Sequence, residues 1–119
     1  MNILPIIDLR TVEDLRALNP GDNDAFLREI VGIFLDDTPR RITELEQSLS
    51  ARDMAKFSRA AHSIKGSSSN LGASRLRAAA EAIEHHAKDQ GLEGIMIRIN
   101  TLKDEFAQVD TGLRALIAT

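Results

Sequence analysis

The last third of this 119-residue chain carries the pattern that most limits its fold. Large apolar residues recur there at alternating steps of three and four, the spacing that places side chains on one side of an α-helix. A seam of this length needs partner helices to cover it, so the sequence predicts a helical bundle. The seam comprises Leu92, Ile95, Ile99, Leu102, Phe106, Val109, Leu113 and Leu116.

A short helix and a long one are predicted before residue 52. Thr11 is a suitable N-cap for the first helix, and the run Asn19-Pro20-Gly21-Asp22 ends it. The second helix begins near Asp22 or Asn23 and meets Pro39, where we expect a kink or a junction of two helices, because proline removes a helical hydrogen bond. Its predicted buried face comprises Phe26, Ile30, Ile33, Ile42, Leu45 and Leu49.

The third and fourth helices form a predicted hairpin. The third covers residues 53–70, Leu71-Gly72-Ala73 reverses the chain, and Ser74 caps a fourth helix that runs to Asp89, with Gly91 as its stop. The predicted buried residues are Met54, Phe57, Ala61, Ile64, Ser68 and Leu71 before or in the turn and Leu76, Ala80, Ile83 and Ala87 after it.

Short connections set the predicted topology. The connections at residues 50–53, 71–74 and 89–92 are too short for parallel neighbours, so consecutive helices run antiparallel. Strand patterns are nearly absent. The predicted fold is all-α, an antiparallel up-down-up-down four-helix bundle with a short extra N-terminal helix, in one domain over residues 1–119.

One histidine of the third helix is predicted to be exposed among small or flexible residues. At ~100° per residue, His62 points roughly 130° away from the centre of the buried stripe. Its neighbours on that face are Ser58, Lys65, Gly66 and Ser69. A glycine inside a helix costs about 0.5–1 kcal/mol relative to alanine. Because Gly66 lies away from the core, close approach by a partner explains it better than helix packing does.

This arrangement is suited to receiving a phosphoryl group. A neutral imidazole nitrogen is the nucleophile, and Lys65 can offset the phosphate charge of roughly −1.5 to −2. The alternative for Lys65 is a solvated side chain or a salt bridge to Glu81. The hairpin brings Glu84 to the height of His62, where its carboxylate would accept the ring proton, fix the ring and leave Nε2 free. The alternative for Glu84 is a plain surface residue.

These residues resemble the signature of the histidine phosphotransfer (HPt) domain family, in which His-x-x-Lys-Gly is followed by small residues and Leu-Gly-Ala. The chain has His62, Lys65 and Gly66, then Leu71-Gly72-Ala73. In that family a glutamate or glutamine at the position of Glu84 is likewise near the histidine. Similar residues flank the motif: Ile7-Asp8-Leu9, Phe34-Leu35-Asp36-Asp37, Ala60-Ala61, Leu76, Ala80, Ile83-Glu84 and Lys88, the downstream ones standing where the family more often has Cys, Leu-Glu and Arg.

The resemblance implies a phosphocarrier and not an enzyme. His62 would accept a phosphoryl group from the phospho-aspartate of a receiver domain and relay it to another response-regulator receiver. The implied partners are receivers and a hybrid histidine kinase, and any Mg²⁺ belongs to the receiver, so no cofactor is expected in this chain. The alternatives are a non-phosphorylated module that sequesters a response regulator and a fragment of a larger sensor kinase. The expected partner surface comprises Ser58, Arg59, His62, Lys65, Gly66 and Ser69, with Asp37, Arg40 and Arg41 of the second helix beside it.

The composition of the chain and the motifs that it lacks argue against several classes of function. The formal net charge of −3 gives no electrostatic reason for nucleic-acid binding, and no nucleotide-binding loop is present for ATP. The sequence has no cysteine, which excludes disulfides and thiolate metal sites and is compatible with a reducing cytoplasm. The apolar start, residues 1–7, is too short for a membrane span and is expected to pack on the bundle. His85 and His86 diverge by ~100°, so they cannot chelate one metal ion and are expected at the surface. We expect a cytoplasmic monomer.

Overall fold

The structure is a computed structural model that describes residues 3–118. Helices α2, α3, α4 and α5 form a closed ring, because α2 packs on α3, α3 on α4, α4 on α5 and α5 on α2. The short α1 lies against α2, and residues 3–118 contain no strand. The predicted helical bundle is therefore confirmed. Its helices are α1 (Leu9–Ala17), α2 (Ala25–Ala51), α3 (Met54–Asn70), α4 (Ser74–Gln90) and α5 (Met96–Ile117).

The seam of α5 enters the core as predicted. Ile99, Leu102, Val109 and Leu113 are buried in the helix, and Ile95 is buried just before it. The helix begins at residue 96, later than the seam suggested, because two glycines of the preceding turn take left-handed backbone angles. These glycines are Gly91 (φ +71°), which also ends α4 as predicted, and Gly94 (φ +71°).

The register of α2 differs from the prediction in its first half. The buried face contains Leu27, Val31 and Phe34, whereas Ile33 is 64% exposed. The polar residues Thr38 and Ser48 are also buried, and they interrupt the apolar pattern from which the register was read. The prediction therefore placed the buried face one residue off. Of the other residues predicted on that face, Ile42 and Leu45 are buried and Phe26, Ile30 and Leu49 are half-buried.

Pro39 does not divide α2 into two helices. The helix is continuous from Ala25 to Ala51. The Pro39 side chain is exposed, and Thr38 and Ile42 on either side of it stay in the core, so packing holds both halves together despite one lost hydrogen bond. The start of α2 lies later than predicted because Asn23 (φ +56°) and Asp24 (φ +63°) are left-handed.

Two predicted N-caps are wrong. The cap of α1 is Asp8, whose carboxylate accepts a hydrogen bond from the backbone N–H of Arg10 at 3.0 Å, so Thr11 lies inside the helix. In α4 the capping position belongs to Ala73, and Ser74 is the first helical residue. Both errors are displacements of the helix start, by three residues in α1 and one in α4, so the topology is unaffected.

The predicted packing of the N-terminal segment on the bundle is observed only at its end, since Ile3, Leu4 and Pro5 are exposed. Ile6 and Ile7 are half-buried against the core. Ile7 lies so close to α5 that a Cβ atom on Gly112 would be 2.7 Å from its Cδ1 atom. Met1 and Asn2, which the prediction included, lie outside the described residues.

The turn between α3 and α4 is anchored by α1. The backbone N–H of Asp8 donates to the carbonyl of Gly72 at 2.7 Å. Gly72 has φ +73°, and a Cβ atom there would lie 2.8 Å from the Thr11 Cβ atom and 2.9 Å from the Asp8 carbonyl oxygen. Only glycine fits this turn without displacing α1.

Replacing Gly72 by alanine should therefore lower the free energy of unfolding by about 1–3 kcal/mol, because the substitution combines a left-handed backbone with a steric clash. Urea denaturation measures this change. Gly32→Ala in α2 is the matched control, since a Cβ atom there meets no atom of residues 3–118 within 4 Å outside its own helix backbone. That variant should gain about 0.5–1 kcal/mol. Equal stability of the two variants would contradict the anchoring of the turn.

Candidate functional site

His62 projects from α3 into solvent. Its side chain is 72% exposed, while Ala61 and Ile64, which flank it in the helix, are buried in the core. The predicted orientation away from the buried stripe is therefore observed. The ring is accessible to a second protein, which is the first requirement for a group transfer between macromolecules.

Glu84 of α4 reaches the histidine across the hairpin. Its Oε2 atom lies 3.3 Å from Nδ1 of His62, so the contact predicted from hairpin height is present. An ionised carboxylate can only accept a hydrogen bond, so Nδ1 must carry the ring proton. Nε2 then holds the free lone pair and is the nitrogen available to an electrophile.

Lys65 shares the same carboxylate. Its Nζ atom lies 3.0 Å from Oε1 of Glu84, and both side chains are about three-quarters buried, with 26% and 21% exposed. The predicted alternative partner, Glu81, is instead 3.3 Å from Arg77 and 3.9 Å from His85. The prediction paired residues of α3 and α4 that lie at the same level along the hairpin. The long, flexible Lys65 side chain reaches beyond its own level and contacts Glu84.

The surface beside His62 is open. Outside its own helix backbone, a Cβ atom on Gly66 would meet none of the described atoms within 4 Å, so this glycine is not required by helix packing. Ser69 is exposed on the same face, and Ser58 is half-buried. Ser58 also lines a cleft of about 620 Å³ between α3 and α4, together with Glu84 and with Met54, His85, Ala87 and Lys88.

Met54 belongs to this cleft and not to the core. It was predicted to be buried, but it is 38% exposed because it opens α3, where the helix emerges from the bundle. The cleft thus offers a partly apolar wall next to the carboxylate that contacts His62.

The partner-surface residues predicted on α2 either pair within that helix or are exposed. Arg41 forms ion pairs within its own helix, 3.3 Å from Asp37 and 2.7 Å from Glu44. The charge of Asp37 above all, and then Glu44, raises the pKa of the Arg41 guanidinium. Arg40 and Arg59 are exposed. Within residues 3–118, no hydrogen bond or ion pair joins Asp37, Arg40 or Arg41 to His62.

One histidine differs from its predicted surface location. His85 is 70% exposed, but His86 is half-buried and makes two hydrogen bonds at the end of α4. In the part of the chain that the structure describes, no three His, Cys, Asp or Glu side chains are grouped as metal ligands. None of the described helices is long and apolar enough to cross a membrane.

Comparison with known proteins identifies the family. The model of the Hpt domain matches residues 29–112. Histidine-containing phosphotransfer protein B from Pseudomonas aeruginosa superimposes with a TM-score of 0.85 at 27% identity, covering 97% of this chain and 96% of that one. The chain belongs to the Hpt domain family of histidine phosphotransfer proteins.

Curated relatives agree with this assignment. Histidine-containing phosphotransfer protein 1 of Arabidopsis thaliana is 29% identical over 104 residues, which are 86% of this chain and 68% of that protein. Multistep phosphorelay regulator 1 of Schizosaccharomyces pombe is 29% identical over 91 residues, or 76% of this chain. The chain spans only 31% of the length of the fission yeast protein. A rice relative that is 25% identical is called a pseudo histidine-containing phosphotransfer protein.

Proposed function

We propose that His62 is the phosphoacceptor of a phosphorelay, receiving a phosphoryl group from the phospho-aspartate of one receiver domain and passing it to another. The observation that carries this proposal is the pairing of an exposed ring with a carboxylate at Nδ1. This pairing leaves the Nε2 lone pair directed away from the protein's own acceptor.

The transfer needs no further activated group in this chain. The Nε2 lone pair attacks phosphorus, the N–P bond forms, and the P–O bond to the aspartyl carboxylate breaks and returns its electron pair to that carboxylate. The ring gains positive charge in this step, and the Glu84 carboxylate, which accepts a hydrogen bond from Nδ1, stabilises that charge. Relay to a second aspartate reverses the sequence. Glu84 is therefore proposed to orient the ring and hold its proton.

Lys65 is proposed to offset the charge of the phosphoryl group. The phosphate adds roughly −1.5 to −2 at neutral pH beside a carboxylate that is already ionised. The Lys65 ammonium lies 3.0 Å from that carboxylate, so it limits the repulsion between Glu84 and the incoming group. Lys65 is thus proposed to offset two negative groups, the Glu84 carboxylate and the incoming phosphoryl group.

The proposed partners follow from the charge of α3. This helix carries Lys56, Arg59 and Lys65 and no Asp or Glu, although the whole chain has a net charge of −3. A helix whose own charged residues are all basic favours an acidic partner surface. A receiver is proposed to supply that surface together with Mg²⁺, and a hybrid histidine kinase to supply the phosphoryl group. This chain, which has no nucleotide-binding loop, is proposed to act as a carrier only.

The proposed docking face joins Ser58, Arg59, Gly66 and Ser69 around His62. Asp37, Arg40 and Arg41 of α2 are proposed at its margin, where Arg40 is exposed. We further propose that the chain acts as a monomeric single domain over residues 1–119. Its cytoplasmic location stays a prediction.

Incubation with a receiver carrying labelled phosphate on its aspartate tests the proposal. Acid-labile, alkali-stable label on this chain, followed by its transfer to a second receiver, is the expected result. A module that only sequesters a receiver would bind it, as measured by calorimetry, without acquiring label. That outcome would replace phosphotransfer by the alternative of passive docking.

Glu84→Ala should slow phosphoryl acceptance by about tenfold, the lower end of the effect of removing the carboxylate that orients a metal-binding histidine. The reason is that the ring then samples both tautomers and several orientations. Glu84→Gln should retain most of the rate, since its amide oxygen can still accept from Nδ1. Rapid-quench measurement of label transfer gives these rates.

The matched control is Glu81→Ala, one turn earlier on α4. This variant removes the same charge as Glu84→Ala, but the lost carboxylate pairs with Arg77 and His85 and not with His62. Its acceptance rate should stay within about twofold of the unmodified chain, as expected for an exposed ion pair. Equal slowing by both variants would attribute the effect to net charge and not to the position of the ring.

A further inference from the structure

His86 links the end of α4 to the start of α5. Its Nε2 atom lies 2.5 Å from the backbone carbonyl oxygen of Glu93 in the connecting turn. The Nε atom of Arg98, in the first turns of α5, donates a hydrogen bond to Nδ1 at 3.0 Å. One side chain therefore contacts both the turn and the following helix.

These two partners fix the protonation state of the ring. A guanidinium has no lone pair and can only donate, so Nδ1 of His86 must be unprotonated. A backbone carbonyl can only accept, so Nε2 must carry the proton. The ring is neutral in this arrangement, and its tautomer is opposite to the one assigned to His62.

We propose that His86, Glu93 and Arg98 form a pH-sensitive clasp that closes the α4–α5 turn when His86 is neutral and releases it when His86 is protonated. A second ring proton would place an N–H group against the Arg98 N–H and bring two positive charges to about 3 Å. The hydrogen bond to Arg98 cannot survive this change. The unfolded or opened turn binds the proton without that penalty, so acid favours opening.

Other charged groups near the ring do not reverse this effect. His85 and Asp89 of α4 line the same small depression as His86 and Arg98. The Asp89 carboxylate opposes the repulsion, but within residues 3–118 no hydrogen bond or ion pair joins it to His86. Arg98 is in direct contact and is the charged group that α5 presents at this point, so its effect is the larger.

Apart from the buried Ile95 and the half-buried Leu92, which pack on the core, the turn has few hydrogen bonds to hold it. Gly91 and Gly94 give it two left-handed residues, and its own hydrogen bond from Ile95 to the Leu92 carbonyl is long at 3.4 Å. A Cβ atom on Gly94 would be 4.0 Å from Cε1 of His86, so the turn packs directly on the ring. A groove of about 290 Å³ lies beside this contact, between α4 and the exposed Ile97 of α5. Release of the clasp would loosen this end of the bundle.

Nitrogen-15 spectra of the imidazole rings in the whole chain test the first step. At pH 7.5, His86 should carry its proton on Nε2. A proton on Nδ1 of His86 would overturn the proposal, whatever the state of His62. This measurement requires no substitution and no phosphorylation.

Amide hydrogen exchange tests the second step. Between pH 7.5 and 5.5, the protection factors of Ile95 and Arg98, corrected for intrinsic rates, should fall by about tenfold, the loss of one charge-assisted hydrogen bond. The amide of Arg77, bonded to Ala73 at the other end of α4, is the internal reference and should change less than twofold.

Single substitutions assign the effect to His86. His85→Gln, which changes the exposed neighbour, should keep the full pH dependence, whereas His86→Gln should lose it. If His86→Gln does not fold, Arg98→Leu serves instead, because it removes the donor and the source of repulsion. Full pH dependence in His86→Gln, or in Arg98→Leu where that variant is used, would overturn the proposal.

Discussion

Replacing His62 by glutamine should abolish labelling by a phospho-receiver and leave the helical circular dichroism unchanged. A glutamine amide nitrogen has no available lone pair, so it cannot form the N–P bond. The fold should tolerate the change because the His62 side chain is 72% exposed. Among residues 3–118, its only hydrogen-bond partner is Glu84. Label retained after alkali treatment, measured per mole of protein, should fall to background.

The matched control is His85→Gln. His85 is 70% exposed, on the adjacent helix, and its ring lies 3.9 Å from the Glu81 carboxylate, farther than His62 lies from Glu84. This variant should accept label at the rate of the unmodified chain. Persistent label on the His62 variant, or label found on one of the serines at positions 67–69, would refute the assigned phosphoacceptor.

A glutamine at position 66 should reduce transfer by at least about tenfold while keeping or raising the melting temperature. Glutamine is a better helix former than glycine, by about 0.5–1 kcal/mol, and the space around Gly66 is open. The same side chain would stand one turn from His62, where a receiver must bring its aspartate within bonding distance. Stability and transfer should therefore change in opposite directions.

Ala115→Gln controls for the bulk of the new side chain. Ala115 is exposed near the C-terminal end of α5, a helix that contributes no residue to the proposed docking face, so its substitution should leave transfer unchanged. Thermal melts and single-turnover transfer assays on the two variants give the comparison. Unfolding of Gly66→Gln would make this a packing glycine, and normal transfer would place the docking face elsewhere.

The sequence was sufficient for the topology and for the contact between His62 and Glu84. Helical periodicity is a local property, and once the turn at Gly72 is known, helix geometry fixes which residues of α3 and α4 share a height. The register of α2 was not predictable in the same way, because buried Thr38 and Ser48 break the apolar pattern.

Contacts made by long side chains and by turns also could not be predicted from the sequence. Lys65 selects Glu84 over Glu81 because its four-carbon stem can reach a neighbouring height. The hydrogen bonds of His86 depend on the left-handed residues Gly91 and Gly94, which determine where the turn carbonyls point. Periodicity carries no information on either.

The hydrogen bond of 2.7 Å between Asp8 and Gly72 makes the α3–α4 turn a fixed pivot for the phosphoacceptor site. His62 and Glu84 stand ten and twelve residues from it, on lever arms of about 15 and 18 Å. A tilt of α3 relative to α4 of about 5° at the pivot would displace the two residues against each other by about 1.3–1.6 Å, enough to break the contact at Nδ1. The turn is anchored by α1 and its N-cap, which lie outside the family match at residues 29–112. A chain shortened to that match would keep every reactive side chain and the packing of α3 on α4, but would lose the hydrogen bond that anchors the turn between them.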